Sequence, residues 1–334
     1  MAATRVLETI LTLPTPIPFT PDAMGRTYQT RFMGRPATIT LPRIRWEPTT
    51  AQFLTLPPRM RSVKPDVDWA EYLDAWHPWG SVTIWKTTPQ PKPLLARVTH
   101  MLATVPIAKR WSNDRVSVYA AELASSSYPW WLRLREWIEV ATPYLIETFE
   151  HPDSRALISN TRVWSWDGQR SRRVPVSQMM HMVGDAEPGI GRRSFAAVAA
   201  LAGKGTQVPK PHVFLRNARL ALRRNDIRAA VLEASTAAEL ALQELLDARL
   251  GGADNEVAGA IRQGNRELGR LTKLLGHLEV SLPSGLQTGL VDVRNRAIHR
   301  GDEATEEQAS EAVRLARAVV ELAEPSRLLL APTD

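Results

Sequence analysis

The chain contains no cysteine, which excludes disulfides, thiolate metal sites and cysteine nucleophiles and fits a reducing compartment. No stretch approaches the ~20 apolar residues that a membrane-spanning helix needs. The opening MAATRVLETILTLPTPIPFT is broken by prolines, and its apolar run is too short for a secretory leader. The expectation is a soluble, cytoplasmic protein with no membrane partner. Repeats and low-complexity tracts are lacking too, so neither a solenoid nor a disordered scaffold is indicated. His77, His100, His151 and His181 share no metal-ligand spacing. Gly189-Ile190-Gly191-Arg192-Arg193 could touch phosphates, but it lacks the later glycine or Lys-Ser/Thr of a nucleotide-binding loop. No cofactor and no metal are expected.

What is present suits two ordinary globular domains: 334 residues, 44% hydrophobic and 23% charged. All 11 tryptophans fall between Trp46 and Trp166, and the prolines concentrate before residue 212. Beyond it, alanine, leucine, arginine and glutamate take over. Charge divides the same way. Residues 1–212 hold 26 Lys and Arg against 17 Asp and Glu, a net of +9, whereas residues 213–334 hold 16 against 18, a net of −2. A basic domain suits a polyanionic partner such as nucleic acid, with solubility as the alternative reason. The expected organisation is a basic, Trp-rich mixed β/α domain for target binding or sensing over 1–202, a linker over 203–212, a helical bundle over 213–324 and a tail over 325–334. The fold class is α+β. Gly203, Gly205, Pro209 and Pro211 mark the linker, since they oppose both helix and strand.

In the first part, Thr27–Phe32, Ala37–Leu41, Ser81–Trp85, Val116–Tyr119 and Arg162–Trp166 read as strands, and Trp130 to Glu150 as a helix. The topology does not follow from the sequence. Asp66, Asp68, Glu71 and Asp74 around Trp69, Tyr72 and Trp76 read as an acidic amphipathic helix, with a metal or sugar site as the alternative. Arg170, Arg172 and Arg173, after Trp164 and Trp166, form a basic hairpin-like patch able to hold single-stranded nucleic acid; a solvated turn is its rival.

The second part reads as five helices. They run over Val213–Arg224 and Ile227–Leu250, along the leucines 268–278, over Leu286–Arg300, and on from a capping box at Thr305 and Gln308. On a helical wheel, Leu286, Leu290, Val293 and Ala297 make one apolar arc facing the bundle. Asn295 and His299 stack on the opposite surface, with Arg294 to one side and Val291 and Ile298 as a second apolar strip. Such an outward face suits packing against a second subunit, or plain solvent. His299 lies in the last turn, where the helix dipole favours its protonated form while neighbouring arginines oppose it. A histidine so poised can both take and give a proton near neutrality. Arg294 can hold a phosphate. Together they suffice to cleave RNA by attack of its own 2′-hydroxyl, a reaction closed to DNA. Asn295 would orient the phosphate or the imidazole, and Arg296 and Arg300 would add RNA contacts.

Arg294, Asn295 and His299, with four residues between arginine and histidine, resemble the motif of the HEPN superfamily. Its ribonucleases carry arginine, four to six residues, then histidine, often with a polar residue after the arginine. The resemblance extends over 213–324, including Ala218–Leu246 and the run RNRAIHRGDEATEEQASEAV. It implies a homodimer through the C-terminal bundle, with both motifs in a shared cleft and metal-independent cleavage of RNA, tRNA among the candidates. It also implies an antiviral (abortive-infection) or toxin-like role similar to ApeA-like anti-phage proteins, with a phage-derived trigger or a neutralising partner. The spacing alone is weak, since Arg270 and His277 also meet it on a leucine-striped helix. A non-catalytic dimerisation module whose N-terminal domain binds nucleic acid or protein is the alternative. A carbohydrate or small-ligand sensor built on the tryptophans is a third class.

Overall fold

The computed structural model describes residues 5–47, 52–58, 60, 79–85, 92–142, 145–146, 163–166, 171–174, 189–299 and 304–330. The chain divides into two compact units, Met1–Gln207 and Val208–Asp334. The fold is α+β: an antiparallel β-sheet region followed by a helical region. The acidic cluster Asp66–Asp74 lies outside the described residues.

Two long strands, β1 (Arg5–Phe19) and β7 (Lys92–Ile107), form the spine of the first unit. They pair antiparallel from Arg5↔Ile107 to Phe19↔Ala96, with a register shift between Thr12 and Ile17. Pro14 and Pro16 fall inside that shift. They carry no N–H for a ladder, so the strand survives them by bulging. β2 (Thr27–Phe32) and β3 (Arg35–Thr40) make a hairpin, closed by Met33 and Gly34 with φ of 51° and 73°. Positive φ at both turn residues is the twist that a two-residue hairpin prefers. β6 (Gly80–Trp85) pairs with the first half of β7, and β8 (Val163–Trp166) pairs with β9 (Ser171–Val174). Among the described residues the strand order is β2-β3-β7-β1-β8-β9, with β4 (Arg43–Glu47) and β5 (Gln52–Leu56) as a separate pair.

Among the described residues two helices complete this unit, α1 (Asn113–Ala141) and α2 (Arg192–Lys204). Val116–Tyr119, read from its β-branched residues as a strand, lies in the first turns of α1. Ser112 caps that helix by accepting from the Arg115 N–H, and Val116, Tyr119, Ala120 and Leu123 are buried at helical spacing. The helix expected over 130–150 therefore starts earlier, passes through Pro129 and stops at Thr142. There Pro143 forces its predecessor out of the helical region, to φ −142° and ψ 160°. Trp79, Trp130, Trp131 and Trp137 are fully buried core. Trp130 Nε1 donates to Thr30 Oγ1 at 2.9 Å, which donates to the Ala199 carbonyl at 2.7 Å, so β2, α1 and α2 share one buried hydrogen-bond chain.

Half of the expected linker 203–212 is helix ends. Gly203 is the penultimate residue of α2, where a Cβ would stand 2.3 Å from the Arg31 nitrogen. Glycine is there for close approach to β2, not to break the helix. Pro211 sits in the first turn of α3 (Lys210–Arg223), a position without need of an N–H. The irregular stretch is thus only Gly205–Pro209.

The second unit continues with α4 (Ile227–Arg249), α5 (Asn255–Gly264), α6 (Leu268–His277), a π-helical turn Gln287–Val291 leading into α7 (Asp292–His299), α8 (Glu306–Ala323) and α9 (Ser326–Leu329). Two of these, α5 and α9, go beyond the five expected. α4 is central, and Ala230, Ala234, Ala237, Ala238 and Ala241 on it are buried completely. Small side chains around most of its circumference let α3, α8, α6 and α7 all approach it. The capping box at Thr305 and Gln308 is formed. At the other end of α8, buried His212 lies with Nε2 3.0 Å from the Glu324 carbonyl oxygen. Burial pushes the nearby Glu244 carboxyl up to about 7, helped by the charges of Glu324 and Asp247.

Gly203→Ala should lower stability by about 1–3 kcal/mol in urea denaturation, because overpacking against β2 exceeds the helix-propensity gain. A more stable variant would contradict the close approach. A second expectation concerns Glu244. An acid whose folded pKa, about 7, lies above its unfolded value of 4.5 penalises the fold progressively as pH rises between them. Glu244→Gln should therefore gain stability relative to wild type as pH goes from 5 to 8; equal pH profiles would refute the burial argument.

Candidate functional site

The C-terminal site is built on α7. Leu286, Leu290, Val293 and Ala297 are all buried against the bundle, as their spacing predicts. Val291 does not join Ile298 on the outer face: it is 2% exposed and part of the core, whereas Ile298 is 39% exposed. The cause is the π-helical turn, in which Asp292 N–H reaches back to the Gln287 carbonyl. A wider turn places fewer degrees between residues than an α-helical wheel assumes, so consecutive Leu290 and Val291 both reach inward. Gly289 permits the tight packing there, since a Cβ would stand 2.6 Å from Leu315 Cδ1 on α8.

Arg294 is half-buried and leans toward α4, where its Nη2 lies 3.9 Å from Glu239 Oε2. Its Nη1 donates to Asn295 Oδ1 at 3.3 Å. Asn295 is exposed and Arg296 is half-buried. His299 is the last residue of α7, four positions beyond Asn295. Arg300 lies outside the described residues.

Glu239 is the residue that sequence reasoning missed. Its carboxylate is desolvated, which raises its pKa; the Arg294 charge and a hydrogen bond from the Leu268 N–H lower it in part. That N–H opens α6, whose own N-cap, Glu267, makes no side-chain cap bond. One carboxylate thus fastens the start of α6 and the guanidinium on α7 to α4. The available signal was an acidic residue beside the buried Ala237, Ala238 and Ala241, on a helix face too apolar for an idle charge.

Other sequence-derived positions separate from this site. Arg172 and Arg173 occupy β9, at register positions opposite Ser165 and Trp164, and β9 ends the sheet order. Arg170 lies outside the described residues. At Gly189–Arg193 the protein supplies its own anion: the Asp22 carboxylate accepts from the Arg192 N–H at 3.2 Å and from the Thr20 hydroxyl. The Thr20 bond chiefly holds the Asp22 carboxyl below its usual value. Gly189 and Ile190 are packed against Phe19, and a Cβ on Gly189 would meet Leu95 Cδ1 at 2.3 Å. Arg270 and His277 lie on exposed positions of α6, with Arg270 beside Glu267 at 3.6 Å. Among the described residues no cluster of His, Asp and Glu has the geometry of a metal site, and no helix is long and apolar enough to cross a membrane.

No family model, curated protein or solved structure matches the chain.

A double-mutant cycle measures the Glu239 contact. Glu239→Ala should cost about 1–3 kcal/mol in urea unfolding, by leaving a half-buried guanidinium and the Leu268 N–H unpaired. Coupling to Arg294→Ala should be about 0.5 kcal/mol or more. Additive losses would show that the two side chains do not interact.

Proposed function

We propose that the chain is a metal-independent endoribonuclease of the HEPN superfamily, acting as a homodimer through the second unit. The observation that carries the reading is the construction of α7. An arginine anchored by Glu239 and touching Asn295 precedes, by five positions, a histidine at the helix end. Anchoring fixes the guanidinium at little entropic cost when a phosphate arrives.

In the proposed reaction the RNA 2′-oxygen attacks the adjacent phosphorus, forming the P–O2′ bond as the P–O5′ bond breaks. One imidazole removes the 2′ proton and another delivers a proton to the departing 5′ oxygen. A single histidine cannot hold both protonation states in one step, so a second copy of the motif, from the partner subunit, supplies the complement. Arg294 carries the added negative charge of the phosphorane, and Asn295 orients the phosphate or the imidazole. The products are a 2′,3′-cyclic phosphate and a 5′-hydroxyl. Arg296 and Arg300 would steer the RNA backbone, and Arg170, Arg172 and Arg173 on the basic first unit would add contacts to it. The biological role is that of an antiviral or toxin-like effector in the cytoplasm. Its target is RNA, tRNA among the candidates, and a trigger or a neutralising partner acts on it.

Arg294→Ala and His299→Ala should each lower the cleavage rate of total RNA in EDTA by about a hundredfold or more with dimer mass unchanged; His299→Ala should leave the melting temperature unchanged, and Arg294→Ala should lower it only by what the lost Glu239 contact accounts for. Retained cleavage in both variants would remove these residues from the reaction. RNA that is bound and retarded but uncut by wild type would favour the non-catalytic alternative.

A further inference from the structure

The first unit holds a cavity of about 520 Å³ at the turn of the β2–β3 hairpin, between α1 and the C-terminal end of α2. Its size lies within the ~300–1,000 Å³ range of small-ligand sites. Arg31, Arg133 and Lys204 line it, and none of the described residues lining it is acidic. Arg133 uses Nε to bond the Ala202 carbonyl at 3.1 Å, and Arg31 uses Nη1 to bond the Gly34 carbonyl at 2.9 Å. Those bonds aim the two guanidinium groups and leave their other N–H groups for a ligand. No carboxylate among the described residues pairs with either. The wall behind them is rigid, being the buried chain from Trp130 through Thr30 to Ala199, with Gly203 pressed on the backbone of Arg31.

Two guanidinium groups facing one cavity repel one another until an anion enters, and Lys204 stands at the same rim. A lone carboxylate would leave one of the two guanidinium charges unmatched. A phosphate chain carries enough negative charge, and its oxygens fit the planar donor fork of arginine. Exposed Met33 and Pro129 give the remainder of the cavity an apolar side. We propose that this cavity binds the phosphate group of a nucleotide-sized ligand through Arg31 and Arg133, with Lys204 adding charge and Met33 and Pro129 contacting its organic part. The shared chemistry is a nucleoside carrying a terminal phosphate, free in solution or at the 5′ end of an RNA. The site lies wholly within the first unit and does not depend on the cleavage reading.

The test is isothermal titration of the full chain with ATP, with adenosine, and with a short oligoribonucleotide carrying either a 5′-phosphate or a 5′-hydroxyl. Binding of ATP but not adenosine supports a free nucleotide; preference for the 5′-phosphorylated over the 5′-hydroxyl oligonucleotide supports an RNA end. In either case Arg31→Ala and Arg133→Lys should each weaken binding about tenfold or more at unchanged melting temperature. Arg133→Lys keeps the charge and loses the fork, and Arg31→Ala alters only an exposed position, so one of them reports even if the other unfolds. Failure of both phosphorylated probes to bind, or undiminished binding in both variants, overturns the proposal.

Discussion

A carboxylate taken partly out of water must be repaid by partners, and in the helical unit Glu239 is repaid twice. The Leu268 N–H at the start of α6 and the Arg294 guanidinium on α7 both turn to it. The central helix α4, narrow because its buried face is mostly alanine, brings those two elements near enough to share one side chain. The rotation of α7 depends on this contact and on the π-helical turn before it. That turn carries both Leu290 and Val291 into the core, leaving Ile298 and Asn295 outside. The Arg294 side chain is thus positioned by packing and by a carboxylate from another helix.

The helical unit was largely legible because its two longest helices, α4 and α8, each carry two independent signals, a stripe and a cap. Asp226 accepts from the Ala229 N–H, and Thr305 exchanges bonds with Gln308, at the starts their side chains indicate. The sheet was less legible for a physical reason. β1 and β7 lie inside the sheet with both faces partly covered, so the alternation that reveals a half-exposed strand is missing, and the prolines of β1 disguise it further. Where local preference and tertiary burial disagreed, as at Val116–Tyr119, burial along a capped helix prevailed. Gly203 and Pro211 misled because each residue has two uses, one that breaks a helix and one that a helix end or a tight contact requires.

The arginine, asparagine and histidine of the candidate site were readable as a local pattern with a polar residue directly after the arginine, context that Arg270 and His277, which share the spacing, do not have. Glu239 was not, because its partner is distant in the chain and a glutamate on a helix ordinarily reads as solvated. The same distinction separates the two basic features of the first unit. The Gly189–Arg193 stretch looked ready for an anion, but Asp22, far away in sequence, already supplies one. The hairpin turn at Met33 gave no sign of a site, yet folding brings Arg31, Arg133 and Lys204 to it from three elements.

The central claim concerns how the phosphodiester is broken, and the chemistry of the ends tests it most directly. Wild-type protein would be incubated with RNA in EDTA and the new termini identified by mass spectrometry. The account predicts 2′,3′-cyclic phosphates with 5′-hydroxyls, and no cut at a nucleotide whose 2′-hydroxyl is replaced by hydrogen. Ends bearing 3′-hydroxyls, or cleavage that persists at the 2′-deoxy position, would contradict it.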